Sequence, residues 1–221
     1  EEFHMRTIKK VASHIFIDGF GGMTQGLFAT LIIGTMIQQI GLLIGGSTGN
    51  VIYLLGKAAA ALTSAGIGVG VAVKYGESPL VTVSAAVAAM VGGYAGKITG
   101  GTFFVDGNAV LAGPGEPLGA FIAAFAGITC GHLVSGKTKV DIIVTPVITI
   151  GAGSVVGLLV GPPISQMMTG LGSIINWATE QRPFIMGIVV SVVMGMVLTL
   201  PISSAALGII LNLSGLAAGA A

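Results

Sequence analysis

Charge is scarce in this chain of 221 residues, since Asp, Glu, Lys and Arg together make up only 8% of them. Soluble domains carry about 25% charged residues, so the water-soluble globular class is excluded. The nine basic residues barely exceed the eight acidic ones, and the formal net charge is +1. We expect no nucleic-acid partner for such a chain.

The sequence also lacks the patterns from which most catalytic and metal sites are built. Cys130 is the single cysteine, which excludes an intrachain disulfide, and its apolar neighbours favour a packed thiol over a reactive one. His14 and His132 stand alone in the sequence, without a metal-ligand cluster around either. No phosphate loop, nucleophile elbow or dinucleotide fingerprint is found. We predict no metal, no cofactor and no catalytic residue, and the sequence leaves open whether the protein takes part in an enzymatic reaction.

Apolar residues and glycine are what the chain has in abundance. Hydrophobic residues make up 53% of it, glycine occurs 37 times, and the mean hydropathy is +0.99. The apolar runs are about twice the length of the roughly 10-residue alternating strands of a membrane barrel. We therefore predict an all-α polytopic integral membrane protein with about six or seven transmembrane helices. The predicted segments are 24–44, 51–73, 79–94, 118–134, 140–160, 184–200 and 205–221.

The two ends of the chain are interpreted separately from these segments. Residues 1–4 resemble a cloning scar before Met5, and residues 5–221 form one predicted membrane domain. Residues 5–20 are amphipathic and predict a helix lying at the membrane interface. The last apolar run stops without a polar tail, so we expect a C-terminally truncated domain whose natural form continues.

A turn is predicted at residues 161–163, where glycine is followed by two prolines. The less apolar residues 162–180 then predict either a short helix lying on the membrane or a half-span.

Basic residues predict the orientation of the domain. With the N-terminus in the cytoplasm, only Lys97 lies in an outer loop, and the cytoplasmic side carries an excess of positive charge, as the positive-inside rule requires. The residues on the cytoplasmic side are Arg6, Lys9, Lys10, Lys74, Lys137 and Lys139.

Glycines recur at intervals of four residues within the apolar segments, a spacing that lets helix backbones approach closely. Tight packing within one chain is the favoured interpretation, and a dimer face is the alternative. The rows are Gly92, Gly96 and Gly100; Gly127 and Gly131; and Gly153, Gly157 and Gly161.

Residues 95–120 are the most informative stretch. They are rich in glycine and proline and contain Lys97, Asp106 and Glu116 between long apolar segments. Because lipid offers no partners for free N–H and C=O groups, irregular backbone among membrane helices lines a cavity or is buried in protein. We therefore predict a re-entrant or broken-helix element here. Asp106 to Asn108 favours a tight turn, while Glu116 either caps the next helix or binds a solute.

Four polar residues within or near the apolar segments have two interpretations each. Lys57 either extends its ammonium group to the interface or lines a cavity. Gln38 and Gln39 form an interhelical hydrogen bond or bind a hydroxyl-rich ligand. His132 packs at the interface or takes part in proton or phosphoryl transfer, and the first interpretation is favoured.

Several short motifs occur in an order that resembles one family. They are residues 92–96, 113–127, 137–139, 145–150, 161–164, 199–206 and 213–221. Together they resemble the fructose-type EIIC permeases of the bacterial phosphotransferase system, and most closely a divergent EIIC-like group that includes membrane proteins named as perfringolysin O regulators. The resemblance implies a multi-pass protein of the bacterial cytoplasmic membrane that acts as a homodimer. It also implies a sugar as substrate and a separate cytoplasmic EIIB-like protein as the source of phosphoryl groups.

Two function hypotheses follow from the residues and the resemblance. The first is a permease core that binds and translocates a small polar solute, a sugar, near the middle of the membrane. The second is a membrane-embedded regulator or sensor that keeps the same scaffold and binds a solute, lipid or partner without transport; a channel is a weaker third possibility. The expected solute-binding residues are Gln38, Lys97, Thr102, Asp106, Asn108 and Glu116.

Overall fold

The computed structural model describes residues 14–111, 113–181, 187–188 and 191–192. They form eight α-helices: α1 (Phe20–Leu27), α2 (Ile33–Ile44), α3 (Gly46–Ala61), α4 (Thr63–Lys74), α5 (Pro79–Gly93), α6 (Ala95–Thr99), α7 (Pro117–Val134) and α8 (Asp141–Gln181). Two π-helical segments, His14–Gly19 and Phe28–Ile32, flank α1. Strands β1 (Phe104–Val105) and β2 (Asn108–Ala109) pair antiparallel, with Phe104 opposite Ala109.

Three helices of this part of the chain are long and apolar enough to cross a membrane: Ile17–Ile44, Pro117–Val134 and Asp141–Gly170. The pair α3 and α4 is a fourth span if both helices are counted together, with a 53° bend between them. The predicted all-α membrane architecture is confirmed. The predicted segments 184–200 and 205–221 fall largely or entirely outside the described residues, as do residues 5–13 of the predicted interfacial helix.

The chain divides into two compact units, residues 1–162 and 163–221. In the second unit, residues 163–181 are helical, as are the short described stretches 187–188 and 191–192. The turn predicted at residues 161–163 is wrong, because α8 continues through Pro162 and Pro163. A proline removes one helical hydrogen bond, but leaving the helix in an apolar environment would release more backbone groups.

Glycine determines how the first two spans pack. A Cβ atom added at Gly22 or Gly26 would lie within 3 Å of the backbone of α4, and one added at Gly34 or Gly41 within 3 Å of the backbone of α3. Only a residue without a side chain permits such an approach. The two spans therefore form one antiparallel hairpin, closely packed along its length, with Gly45 and Gly46 at positive φ in its turn.

The hairpin is interrupted in both spans at the same level. One span changes to a π-helix at Phe28–Ile32, and the other bends by 53° between α3 and α4, at Leu62. Gly26 packs on Gly66 at one side of this level, and Gly34 packs on Gly56 at the other. The half formed by α1 and α4 packs further onto α5 and α7, as Gly68 against Ala85 and the stacked rings of Phe20 and Phe121 show. We call the other half, α2 and α3, the arm.

Helices α5, α7 and α8 pack around small residues. A Cβ at Gly92 would meet the backbone oxygen of Gly119, one at Gly153 the oxygen of Ala123, and one at Gly127 the oxygen of Thr149. The glycine rows therefore serve packing within the chain, which confirms the favoured interpretation of those in α5, α7 and α8. Gly100 lies outside this packing, at the end of α6.

Polar groups gather near the C-terminal ends of α4 and α7 and the N-terminal ends of α5 and α8. The hydroxyls of Ser78 and Ser135 lie 3.0 Å apart, and Nδ1 of His132 lies 3.0 Å from a carboxylate oxygen of Glu77. Burial, and secondly the charge of Asp18, raise the pKa of Tyr75 to about 12. The side chain of His132 is 70% exposed, and its imidazole pairs with the carboxylate of Glu77.

Candidate functional site

Three helix interruptions meet at one place in the first unit. They are the bend at Leu62, the break between α5 and α6 at Tyr94, and the end of the loop before α7. The backbone N–H of Glu116 donates to the carbonyl of Gly93 over 2.7 Å, and the hydroxyl of Ser64 donates to the carbonyl of Pro114 over 3.0 Å. We call the group of Ser64, Tyr94, Lys97 and residues 113–116 the junction.

Tyr94 lies at the centre of the junction, with only 1% of its surface exposed. Its hydroxyl faces two carbonyl oxygens, that of Gly113 in the loop, which it contacts closely, and that of Ala61 at the end of α3, at 3.3 Å. The ammonium group of Lys97 lies 5.3 Å from the centre of the Tyr94 ring, within the range of a cation–π interaction. The aromatic ring thus connects all three interruptions.

Glu116 is the N-cap of α7. Its carboxylate accepts hydrogen bonds from the backbone N–H groups of Leu118 and Gly119, and Pro117 occupies the first helical position, where proline's missing N–H costs nothing. These bonds satisfy two of the orphan donors at the helix start. The capping interpretation of Glu116 is confirmed. The capping bonds hold its half-buried carboxylate next to the backbone of the junction.

The lengths of α4 and α5 place the bend at Leu62 and the break at Tyr94 at a similar distance from the other ends of these helices. Helix α5 has 15 residues, or about 22 Å at 1.5 Å per residue, and α4 has 12 residues, or about 18 Å. The hydrocarbon core of a bilayer is about 30 Å thick. If the ends of α4 and α5 near Tyr75 and Ser78 lie at one surface of the membrane, the junction lies within the membrane and not beyond its far side.

The structure brings some of the predicted binding residues together. Lys97 contacts Tyr94, and the backbone N–H and the hydroxyl of Thr102 both donate to the carbonyl of Lys97, at 3.0 and 3.4 Å. Glu116 joins the same region through its bond to Gly93. Three of the six predicted residues, namely Lys97, Thr102 and Glu116, therefore lie in or beside the junction.

Asp106 and Asn108 lie in a separate, exposed β-hairpin. Asp106 and Gly107 both have positive φ, 50° and 76°, as the two central residues of a type I′ turn require. The side-chain amide of Asn108 donates to the carbonyl of Asp106 over 3.3 Å. The predicted turn is confirmed.

Gln38 lies elsewhere, in the arm. Its side chain packs on Gly56 of α3, and its amide group donates to the carbonyl of Gly34 over 3.4 Å. Lys57, also in the arm, is exposed. The structure shows no contact between either residue and the junction.

The two hydroxyl-bearing side chains of the junction, those of Ser64 and Tyr94, were not among the predicted binding residues. Ser64 is fully buried. It lies in an apolar run of the sequence, and no neighbouring residue marks it as part of a site. Tyr94 carried a detectable signal, because it is a hydroxyl-bearing aromatic residue flanked by glycines on a segment that ends before a Gly-Pro loop. Such a residue has to find a hydrogen-bond partner when it is buried.

The chemistry available at the junction is hydrogen bonding and charge. It contains a carboxylate and an ammonium group, which suit a ligand with many hydroxyl groups. The hydroxyls of Ser64 and Tyr94 are buried and donate to loop carbonyls. Within the residues that the structure describes, no group of three or more His, Cys, Asp or Glu side chains is arranged to hold a metal ion.

Comparison with known proteins assigns a family to most of the chain. Residues 17–221 match the family described as "Phosphotransferase system, EIIC". No curated protein and no solved structure matches the chain.

Proposed function

The chain belongs to the phosphotransferase-system EIIC family, whose members are membrane permeases, and we propose that it binds a sugar at the junction and translocates it. The observation that carries this proposal is the meeting of three helix interruptions around Tyr94 and Glu116. In helical membrane proteins, backbone that leaves the helix at membrane depth lines a cavity or is buried in protein. In transporters such broken helices surround the substrate site.

Glu116 and Lys97 would supply the charged contacts to the sugar. A carboxylate accepts hydrogen bonds from hydroxyl groups, and an ammonium group donates to them. Thr102 would add a hydroxyl group from the same loop. Asp106 and Asn108 would reach the sugar when the hairpin folds over the junction, and Gln38 would reach it when the arm closes from the opposite side.

Phosphorylation of the sugar would come from a separate cytoplasmic EIIB-like protein, with the permease acting as a homodimer in the lipid of the bacterial cytoplasmic membrane. Lys74, Lys137 and Lys139 lie at or after the C-terminal ends of α4 and α7. Their positive charge supports a cytoplasmic position for these ends, because cationic loops remain inside. With this orientation the N-terminus is also cytoplasmic, and the partner would dock near Glu77 and His132.

The proposal is tested by thermal unfolding of the detergent-purified protein in the presence of fructose, other sugars and their phosphates. A sugar present at 100 times its dissociation constant adds about 2.7 kcal/mol to the free energy of unfolding. We expect one sugar to stabilise the wild-type protein and to lose that effect in Glu116→Gln. Glu77→Gln is the matched control, since it makes the same chemical change at the opposite end of the helices and is expected to leave the sugar effect intact.

Two outcomes would contradict this proposal. A sugar effect that persists in Glu116→Gln would move the site away from the junction. The absence of any sugar effect in the wild-type protein would instead favour the regulator or sensor hypothesis, and lipid or protein partners would then be tested with the same stability measurement.

A further inference from the structure

The Tyr94 hydroxyl can donate one hydrogen bond, and two carbonyl oxygens lie within its reach. A phenol donates one full hydrogen bond, and here the carbonyl of Gly113 and the carbonyl of Ala61 both lie within its reach. Gly113 belongs to the loop before α7, while Ala61 is the last residue of α3, immediately before the bend at Leu62. The same proton therefore contacts both the loop and the bend.

Ser64 makes a second connection between the same two elements. It lies two residues after Leu62, in the first turn of α4, and its hydroxyl donates to the carbonyl of Pro114. Gly115 sits directly over this hydroxyl at a φ of 76°, where a side chain would collide with it. The loop is thus bonded to the bent span at Ala61 through Tyr94 and at Ser64 directly.

The bend at Leu62 is a break in the helical hydrogen bonding of the span. The regular ladder of helical bonds is replaced by a bond from the N–H of Leu62 to the carbonyl of Ala59, and the side chain of Leu62 is 49% exposed. The facing span is π-helical at Phe28–Ile32, and π-helical segments in α-helices frequently mark functional sites. Both spans of the hairpin are therefore interrupted where the arm begins.

We propose that Tyr94 is a positioning residue that couples the angle of the arm to the docking of the loop that carries Glu116, and that Ser64 holds this loop from α4. With the arm in the described position, Tyr94 donates to Gly113 and Ser64 to Pro114, and the loop is held down. A change of the bend moves Ala61 relative to Ser64 and Tyr94, shifts the hydrogen bond of the Tyr94 hydroxyl from the carbonyl of Gly113 to that of Ala61, and loosens the loop. The role of this coupling rests on the proposed permease function, in which it would link opening of the junction to movement of the arm.

The coupling is tested without any sugar, so its failure is distinguishable from failure of the proposed function. In a Cys130→Ser background, Ser64→Cys places a thiol beneath the loop, where Ser64 is fully buried. Because this reporter replaces the hydroxyl that donates to Pro114, every substitution is compared with the reporter protein itself, in which Tyr94 still joins the loop to the bend. Its rate of reaction with a small maleimide reports how often the loop lifts. We expect Tyr94→Phe to raise this rate roughly 2- to 10-fold, the effect of losing one net hydrogen bond.

The position of the arm is measured in a second variant. Spin labels at Leu43 and Leu133, which are 86% and 61% exposed, report the distance between the arm and α7. We expect Tyr94→Phe to add a second distance population in the full-length protein. Ser64→Ala, which leaves the aromatic ring in place, is expected to act in the same direction and serves if Tyr94→Phe does not fold.

The matched control is Tyr53→Phe, which removes the same hydroxyl group from the arm, away from the loop, and is expected to change neither readout. Leu62→Gly loosens the bend alone, and we expect its effect on thiol labelling to be strongly non-additive with that of Tyr94→Phe.

Three results would overturn the proposal. The first is faster thiol labelling with an unchanged spin-label distance, which would make the hydroxyl a clamp of the loop only. The second is strict additivity of Leu62→Gly and Tyr94→Phe. The third is an equal response to Tyr53→Phe.

Discussion

Glycine is abundant both in the packed helices α5, α7 and α8 and in the loop of residues 100–115, but for opposite physical reasons. Helical Gly92, Gly153 and Gly157 have ordinary helical backbone, and a Cβ atom at each would collide with a neighbouring helix. Loop Gly101, Gly107 and Gly113 have positive φ and open space around them. The first group is required by packing and the second by conformation, so one residue type reports two different constraints.

Gly92→Ala is expected to have the largest effect on stability. Its Cβ would lie against the backbone oxygen of Gly119 and the Cβ of Ala123, neither of which can rotate away. We expect a loss of about 3 kcal/mol in the free energy of unfolding, the upper part of the range for overpacking, measured by chemical unfolding in detergent.

The matched control for this substitution is Gly151→Ala in α8, where a Cβ would meet nothing within 4 Å. Alanine favours the helix over glycine by about 1 kcal/mol, so stability should stay the same or rise. A comparable loss at both positions would show that packing does not distinguish the two.

Gly115 and Gly113 separate conformation from contact within the loop. Both have positive φ, 76° and 79°, but only at Gly115 would a Cβ collide with Ser64 and crowd Gly93. Left-handed backbone costs a non-glycine residue roughly 1–2 kcal/mol, so Gly113→Ala should lose about that amount. Gly115→Ala should lose more and should also speed labelling of the thiol at position 64. Equal effects of the two substitutions on stability and labelling would contradict the arrangement of the junction.

Gly107→Ala is expected to have the smallest effect on the whole protein. The turn needs positive φ, but the hairpin is exposed and each of its strands has only two residues. Such a hairpin can open locally without unfolding the helices. We expect faster hydrogen exchange at the N–H of Val110, which donates to Phe103, with an unchanged unfolding midpoint. A large drop in the midpoint would show that the hairpin carries tertiary contacts.

The sequence predicts much of the secondary structure because the bilayer imposes simple rules on it. Long apolar runs with few charges predict the spans. The segment predicted to begin at residue 79 and the capping interpretation of Glu116 agree with the helix starts in the structure. The Asp106–Gly107 turn follows from local preferences alone. The turn at Pro162 was wrong because a local preference for breaking the helix was outweighed by the backbone bonds that continuation preserves.

The membrane class, the glycine spacing and the exceptional character of residues 95–116 were determined by the sequence itself, since each depends on composition or on neighbours within a few residues. Only the tertiary structure decided that Ser64, Tyr94 and the loop at residues 113–116 meet. Their bonds join residues 19 to 50 positions apart, and the bend that brings Ser64 to the loop has no proline to mark it. Which polar groups of a membrane helix face one another depends on how close glycines allow the backbones to approach, and that is fixed by packing between helices.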